Sequence, residues 1–186
     1  FHSDRIHKVN ASEYYGEYHG HKVNHLKNVY SSLRKESSQG LIWTAGDSSL
    51  DNKYWFNDSR AAVGAYRSVL EPAIMNADVT YWLNYHGISE RRTQKKYGAI
   101  NTAVEATTLN SRTFRLRPQD EFLRDNIEQD DVLIVSVGGN DIALAPTPCT
   151  IMSLLCLPHM CMEYSKVFGS IPVSLFANGL YNWLYC

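Results

Sequence analysis

Apolar residues fall into two kinds of run along this chain. Between Ser12 and Lys35 they recur at roughly helical spacing, at Tyr14, Tyr18, Leu26, Val29, Tyr30 and Leu33. That spacing predicts an amphipathic helix, weakened in its first half by Gly16 and Gly20. Leu41-Ile42-Trp43-Thr44-Ala45 is different: a short, almost unbroken apolar run that stops at Gly46-Asp47-Ser48. It predicts a buried strand ending in a tight turn. Helical stretches are expected around Arg60 to Leu70 and Val79 to Tyr85, and a second strand from Ala99 to Val104. Pro118 to Ile127 reads as a helix, with proline near its start and Asp120 and Glu121 in its first turn. Val132 to Val137 is the clearest strand, rich in β-branched residues and followed by Gly138-Gly139.

Strands alternating with helices predict an α/β domain: a parallel sheet with helices on both faces, three layers in all. In such sheets, ligands bind beyond the carboxyl ends of the strands. Ser48 and Asn140 each fall just past such an end. The polar first forty residues, rich in His and Tyr, read as a helical extension over residues 1–39, and residues 40–186 as the domain proper.

Composition narrows this picture only a little. The 186 residues are 44% hydrophobic and 20% charged with a net charge of -1, which gives no global field favouring nucleic acid or an anionic membrane. Arg91, Arg92, Lys95 and Lys96 read as a solvated helix face. His21 and His25 are four apart, but Lys22 follows His21, so this is not the His-Glu-x-x-His zinc motif. A solvated histidine pair is expected. The sequons at Asn10 and Asn57 matter only if the protein is secreted. Cys149, Cys156, Cys161 and Cys186 form no Cys-x-x-Cys pair, so they read as buried free thiols rather than a zinc or redox site, with disulfides left open. Ile142 to Met162 lacks formal charge but contains Pro146, Pro148 and Pro158. It is expected to be buried or loop-like, not a membrane span. From Ile142 to Cys186 only Glu163 and Lys166 are charged, which suits a core-facing segment with a loop, or an apolar wall for an acyl chain. Cytoplasmic residence is the default expectation. The chain starts at Phe1, so a leader is not excluded.

Gly46-Asp47-Ser48 and Gly138-Gly139-Asn140-Asp141 are each short enough to arise by chance as a helix cap or a turn. Each follows a predicted strand, however, and together, in this order, the sequence resembles the Ser-Gly-Asn-His hydrolases, also known by their Gly-Asp-Ser-Leu block. The resemblance covers roughly Gly40 to Asp141. It implies Ser48 as nucleophile, flanked by Gly46 and Asp47. It implies Asn140 as a side-chain donor to the oxyanion, flanked by Gly139 and Asp141. The family's middle block, Asn-x-x-x-x-Gly-x-Thr, matches Asn101 to Thr108 with Ala106 in the glycine position. The backbone N–H there is the family's third donor, which Ala106 retains. Ser49 stands where leucine usually follows the nucleophile.

The resemblance further implies a flavodoxin-like fold and hydrolysis of an ester through an acyl-enzyme on Ser48. It implies no metal or organic cofactor. The substrate class is open between a lipid, an acetylated sugar and a small ester. Its fourth block, Asp-x-x-His, has no match: no Asp follows Asp141, and His159 has no Asp three residues before it. The expectation is therefore a domain incomplete at its carboxyl end, inefficient by itself. The alternative is a non-catalytic binding or interaction domain on the same scaffold.

Overall fold

The computed structural model describes residues 7–37, 40–89, 97–146, 148 and 150–152. In chain order the elements are β1 (Val9–Asn10), α1 (Ala11–Gly16), α2 (Val23–Glu36), β2 (Leu41–Gly46), β3 (Ser59–Ala61), α3 (Tyr66–Val69), β4 (Leu70–Glu71), β5 (Ile74–Asn76), α4 (Val79–Ser89), β6 (Gly98–Asn101), α5 (Pro118–Asn126), β7 (Val132–Ser136) and α6 (Gly139–Ala143). The chain divides into two compact units, residues 1–140 and 141–186.

The first unit is mixed α/β around a parallel three-stranded sheet of order β6-β2-β7. Strand β2 is central. Leu41 to Thr44 run beside Gly98 to Asn101, and Ile42 to Gly46 beside Val132 to Ser136. Two small ladders are separate from it: β1 with β4, parallel, and β3 with β5, antiparallel. The core gathers Leu41 and Trp43 of β2, Ile100 of β6, Leu26, Val29 and Leu33 of α2, and Tyr66 and Val69 of α3. Tyr14 of α1 and Val9 of β1 are buried in the same cluster, so β1, α1 and α2 share the core of the sheet.

Three expectations need correction. The predicted helix from Ser12 to Lys35 is two helices. Residues 17–22 interrupt it, where Gly20 takes a φ of +75°, left-handed backbone that costs glycine little. His21 and His25 are not solvated but 2% and 8% exposed. The His21 ring stacks on Tyr14 with centroids 3.8 Å apart, and its Nδ1 lies 2.9 Å from the Tyr14 carbonyl. Burial drives the His21 pKa well below its ordinary value, with Lys53 adding to the effect, so the ring is neutral. The stretch from Arg60 to Leu70 is helical only over Tyr66–Val69. Its start pairs as β3 with β5, because a local ladder partner outweighs weak helical periodicity. Strand β7 forms where expected and lies at the sheet edge, with Val132, Leu133 and Val135 46%, 43% and 58% exposed.

Of the second unit, the described residues are 141–146, 148 and 150–152. Ile142, Leu144, Ile151 and Met152 are exposed rather than core-facing. Arg91, Arg92, Lys95, Lys96, all four cysteines and His159 lie outside the described residues.

Candidate active site

Three segments leave the carboxyl ends of β2, β6 and β7, which lie side by side and parallel. They carry Ser48, Ala106 and Asn140 respectively. The first contact among them is between β2 and β7. Gly46 has a φ of +138°, and a Cβ placed there would lie 1.8 Å from the Ser136 carbonyl oxygen. Only glycine fits. The Asp47 N–H then donates to that same carbonyl at 3.1 Å. Beyond it the chain turns sharply, with the amides of Leu50 and Asp51 both donating to the Asp47 carbonyl. Ser48 sits half-buried at the head of this turn.

The buried Asp47 carboxylate stabilises the turn by accepting the Ser49 N–H at 3.0 Å. The Ser49 hydroxyl lies 2.9 Å from the same carboxylate oxygen and 2.7 Å from the Ser136 hydroxyl. The residue that departs from the family's leucine thus makes polar contacts that bridge the turn to β7.

The middle block is tied to the same point. The Gly46 carbonyl accepts the Val104 N–H at 3.0 Å, the Thr107 hydroxyl at 3.3 Å and the Arg112 guanidinium at 3.0 Å. Between Val104 and Thr107 the chain bends through Ala106, whose φ is +55°. Ala106 is the one non-glycine residue with positive φ among the described residues. Left-handed backbone is glycine's region, and it costs an alanine about 1–2 kcal/mol. Ala106 thus holds a backbone conformation that glycine would adopt at little cost.

Asn140, second residue of α6, closes the set. Its Nδ2 donates one proton to the Thr107 carbonyl at 2.9 Å. This holds the amide beside the middle block and leaves one N–H over. The backbone N–H groups of Ser48 and Ala106 make no hydrogen bond to any described group. Two backbone N–H groups and one amide proton without partners among the described residues therefore sit just past the carboxyl ends of three adjacent strands, as stabilising an anionic oxygen would need. Gly139 and Asp141 flank Asn140 on α6. Among the described residues, no carboxylate or imidazole hydrogen-bonds to the Ser48 hydroxyl.

Sequence reasoning missed the polar hub behind these loops. Asp51 and Lys53 are an ion pair with both side chains fully buried. Asp51 also accepts the amides of Gly20 and Glu105, each at 2.9 Å, and the Asn101 side chain at 3.2 Å. Asn101, opening the middle block, in turn accepts the Thr44 hydroxyl and the Ala103 N–H. One carboxylate thereby ties the turn after Ser48 to the loop that carries Ala106. Nearby Asp78 is 2% exposed and caps α4 by accepting the Tyr81 N–H at 2.7 Å. Burial pushes its pKa up to about 7. A charged cluster just after a Gly-Asp-Ser turn was the available signal, but its partners lie tens of residues away.

Comparison with protein-family models, with curated proteins and with solved structures returns no match to this chain.

Proposed function

We propose that the protein is a serine ester hydrolase of the Ser-Gly-Asn-His type, built on a flavodoxin-like domain. Ser48 attacks the ester carbonyl and forms an acyl-enzyme, which water then hydrolyses. The carbonyl oxygen gains negative charge as it becomes tetrahedral. The Ser48 N–H, the Ala106 N–H and the Asn140 side chain receive that charge. The observation that carries this reading is the conformation of Ala106. Left-handed backbone at an alanine is costly, and the cost falls where the resemblance requires a glycine-like turn to aim an N–H. The convergence of Gly46, Thr107 and Asn140 through hydrogen bonds supports it further.

The hydroxyl of Ser48 needs a base to become nucleophilic. The resemblance assigns that role to the histidine of an Asp-x-x-His block. The test is covalent labelling with a fluorophosphonate, read by peptide mass spectrometry. Labelling at Ser48 that Ser48→Ala abolishes is the expected result. Labelling that persists in Ser48→Ala removes Ser48 from the mechanism. A folded protein that takes no label favours the non-catalytic binding domain.

A further inference from the structure

Beside the loop that carries Ala106 stands a group of aromatic rings that neither the core nor the proposed chemistry uses. Tyr18, Tyr54 and Trp55 are 37%, 51% and 64% exposed. Their rings meet edge to face: Tyr18 and Tyr54 at 5.2 Å, Tyr54 and Trp55 at 6.0 Å, Tyr18 and Trp55 at 6.5 Å between centroids. Exposed rings gathered like this cost hydration free energy and mark a binding surface. They are also held in place. The Trp55 indole N–H donates to the carboxylate of Glu105, which is only 2% exposed. His19, exposed and in edge contact with Tyr18, has its Nδ1 3.2 Å from the Glu105 carbonyl. Glu105 immediately precedes Ala106, and Trp55 lies seven residues after Ser48. The rings are therefore anchored to the same two loops that carry the nucleophile and an oxyanion donor.

We propose that Tyr18, Tyr54 and Trp55 form a platform for a sugar ring, so that the ester substrate is an acylated glycan. A pyranose offers a face of C–H groups to an aromatic ring and a rim of hydroxyls to its surroundings. This surface matches both. Its rings are open to solvent, and the Tyr18 and Tyr54 hydroxyls and exposed His19 border them. Partial desolvation, with the Glu105 carboxylate adding to it, holds the Tyr18 hydroxyl above its ordinary pKa, so it stays a donor. An acyl chain asks for the opposite: an enclosed apolar wall without a carboxylate in it.

The choice of substrate rests on the ester-hydrolase reading; binding of the sugar does not. Two measurements keep them separate. In the first, the Ser48→Ala protein is titrated with ester-free xylo-, manno- and chito-oligosaccharides, following tryptophan fluorescence and heat. Saturable binding to at least one, weakened at least tenfold by adding Trp55→Ala and largely kept by Trp55→Phe, is expected. In the second, kcat/KM is compared on acetylated forms of the same sugars and on p-nitrophenyl acetate and palmitate. Trp55→Ala should lower the sugar value at least tenfold more than the p-nitrophenyl acetate value. No binding to any of the sugars, or a Trp55→Ala loss confined to the palmitate, overturns the proposal. Sugar binding in a protein whose Ser48 takes no phosphonate keeps the platform and removes the hydrolase.

Discussion

The two ends of β2 treat hydrogen bonding in opposite ways. At the amino end, Asp131 gathers its neighbours. Its carboxylate accepts from the Arg34 guanidinium, the Leu41 N–H and the Trp43 indole at 2.7 Å each, and the Glu128 N–H at 3.0 Å. Burial alone would raise its pKa, but these donors outweigh it and hold the carboxyl down to about 2. At the carboxyl end, Gly46 is equally crowded, yet the next functional groups are left open. The N–H groups of Ser48 and Ala106 and one proton of Asn140 have no described partner. A fold gains stability by satisfying its donors and catalytic power by holding a few unsatisfied. Under the proposed function one strand serves both ends, stability at the amino end and chemistry at the carboxyl end.

Breaking the amino end should have the largest effect, and on stability alone. Asp131→Ala leaves Arg34 and two backbone donors without their shared acceptor. A loss of about 3–5 kcal/mol is expected, as for removal of one partner of a buried pair. Urea denaturation measures it. Phosphonate labelling of the remaining folded protein should be retained.

The carboxyl end should respond in the reverse sense. Asn140→Ala should lower kcat by about 10²–10³, or roughly 2.7–4 kcal/mol in the barrier, as for loss of one oxyanion donor. Its melting temperature should stay close to that of the parent, because the amide makes a single bond at the sheet's edge. Wild-type turnover would remove Asn140 from the mechanism. A large fall in melting temperature would make it a structural residue like Asp131.

The pH dependence of stability separates the two kinds of buried carboxyl. Asp131 is depressed, so its contribution is present above about pH 4 and lost as pH falls toward 2. Asp78 is raised to about 7. The folded state therefore binds its proton more tightly than the unfolded state does. That stability is complete below about pH 4 and is lost as pH rises through 7, with a slope of at most about 1.4 kcal/mol per pH unit. Asp78→Asn keeps an acceptor for the Tyr81 N–H and should flatten the slope between pH 5 and 7. Thermal melts across that range decide it.

The smallest effect should come from Ala106→Gly. Glycine removes the cost of left-handed backbone but gains freedom in the unfolded chain, so the two nearly offset, leaving at most about 1 kcal/mol of stabilisation. The N–H stays where it is, and kcat should change less than twofold.

Legibility in the sequence followed how local each signal was. Strand β2 and the turn at Ser48 were visible because an apolar run and a Gly-Asp-Ser stop are written in eight consecutive residues. The same holds for β7 and the glycines before Asn140. The break between α1 and α2 was half visible in Gly16 and Gly20. The buried Asp51–Lys53 pair was not, because charged residues read as surface until Gly20, Asn101 and Glu105 arrive from elsewhere in the chain. Asp131 was hidden for the same reason, with Arg34 and Trp43 about ninety residues before it. The left-handed Ala106 was unreadable from composition; only its place in the middle block pointed to it.

The most direct test of the central claim is a crystal structure of the protein after reaction with a small alkyl fluorophosphonate. The bond from phosphorus to Ser48 Oγ fixes the nucleophile, and the phosphonyl oxygen stands where an oxyanion would form. That oxygen should lie about 2.7–3.1 Å from the Ser48 N–H nitrogen, the Ala106 N–H nitrogen and Asn140 Nδ2 together. Phosphorus on another residue, or a phosphonyl oxygen turned away from Ala106 and Asn140, would contradict it.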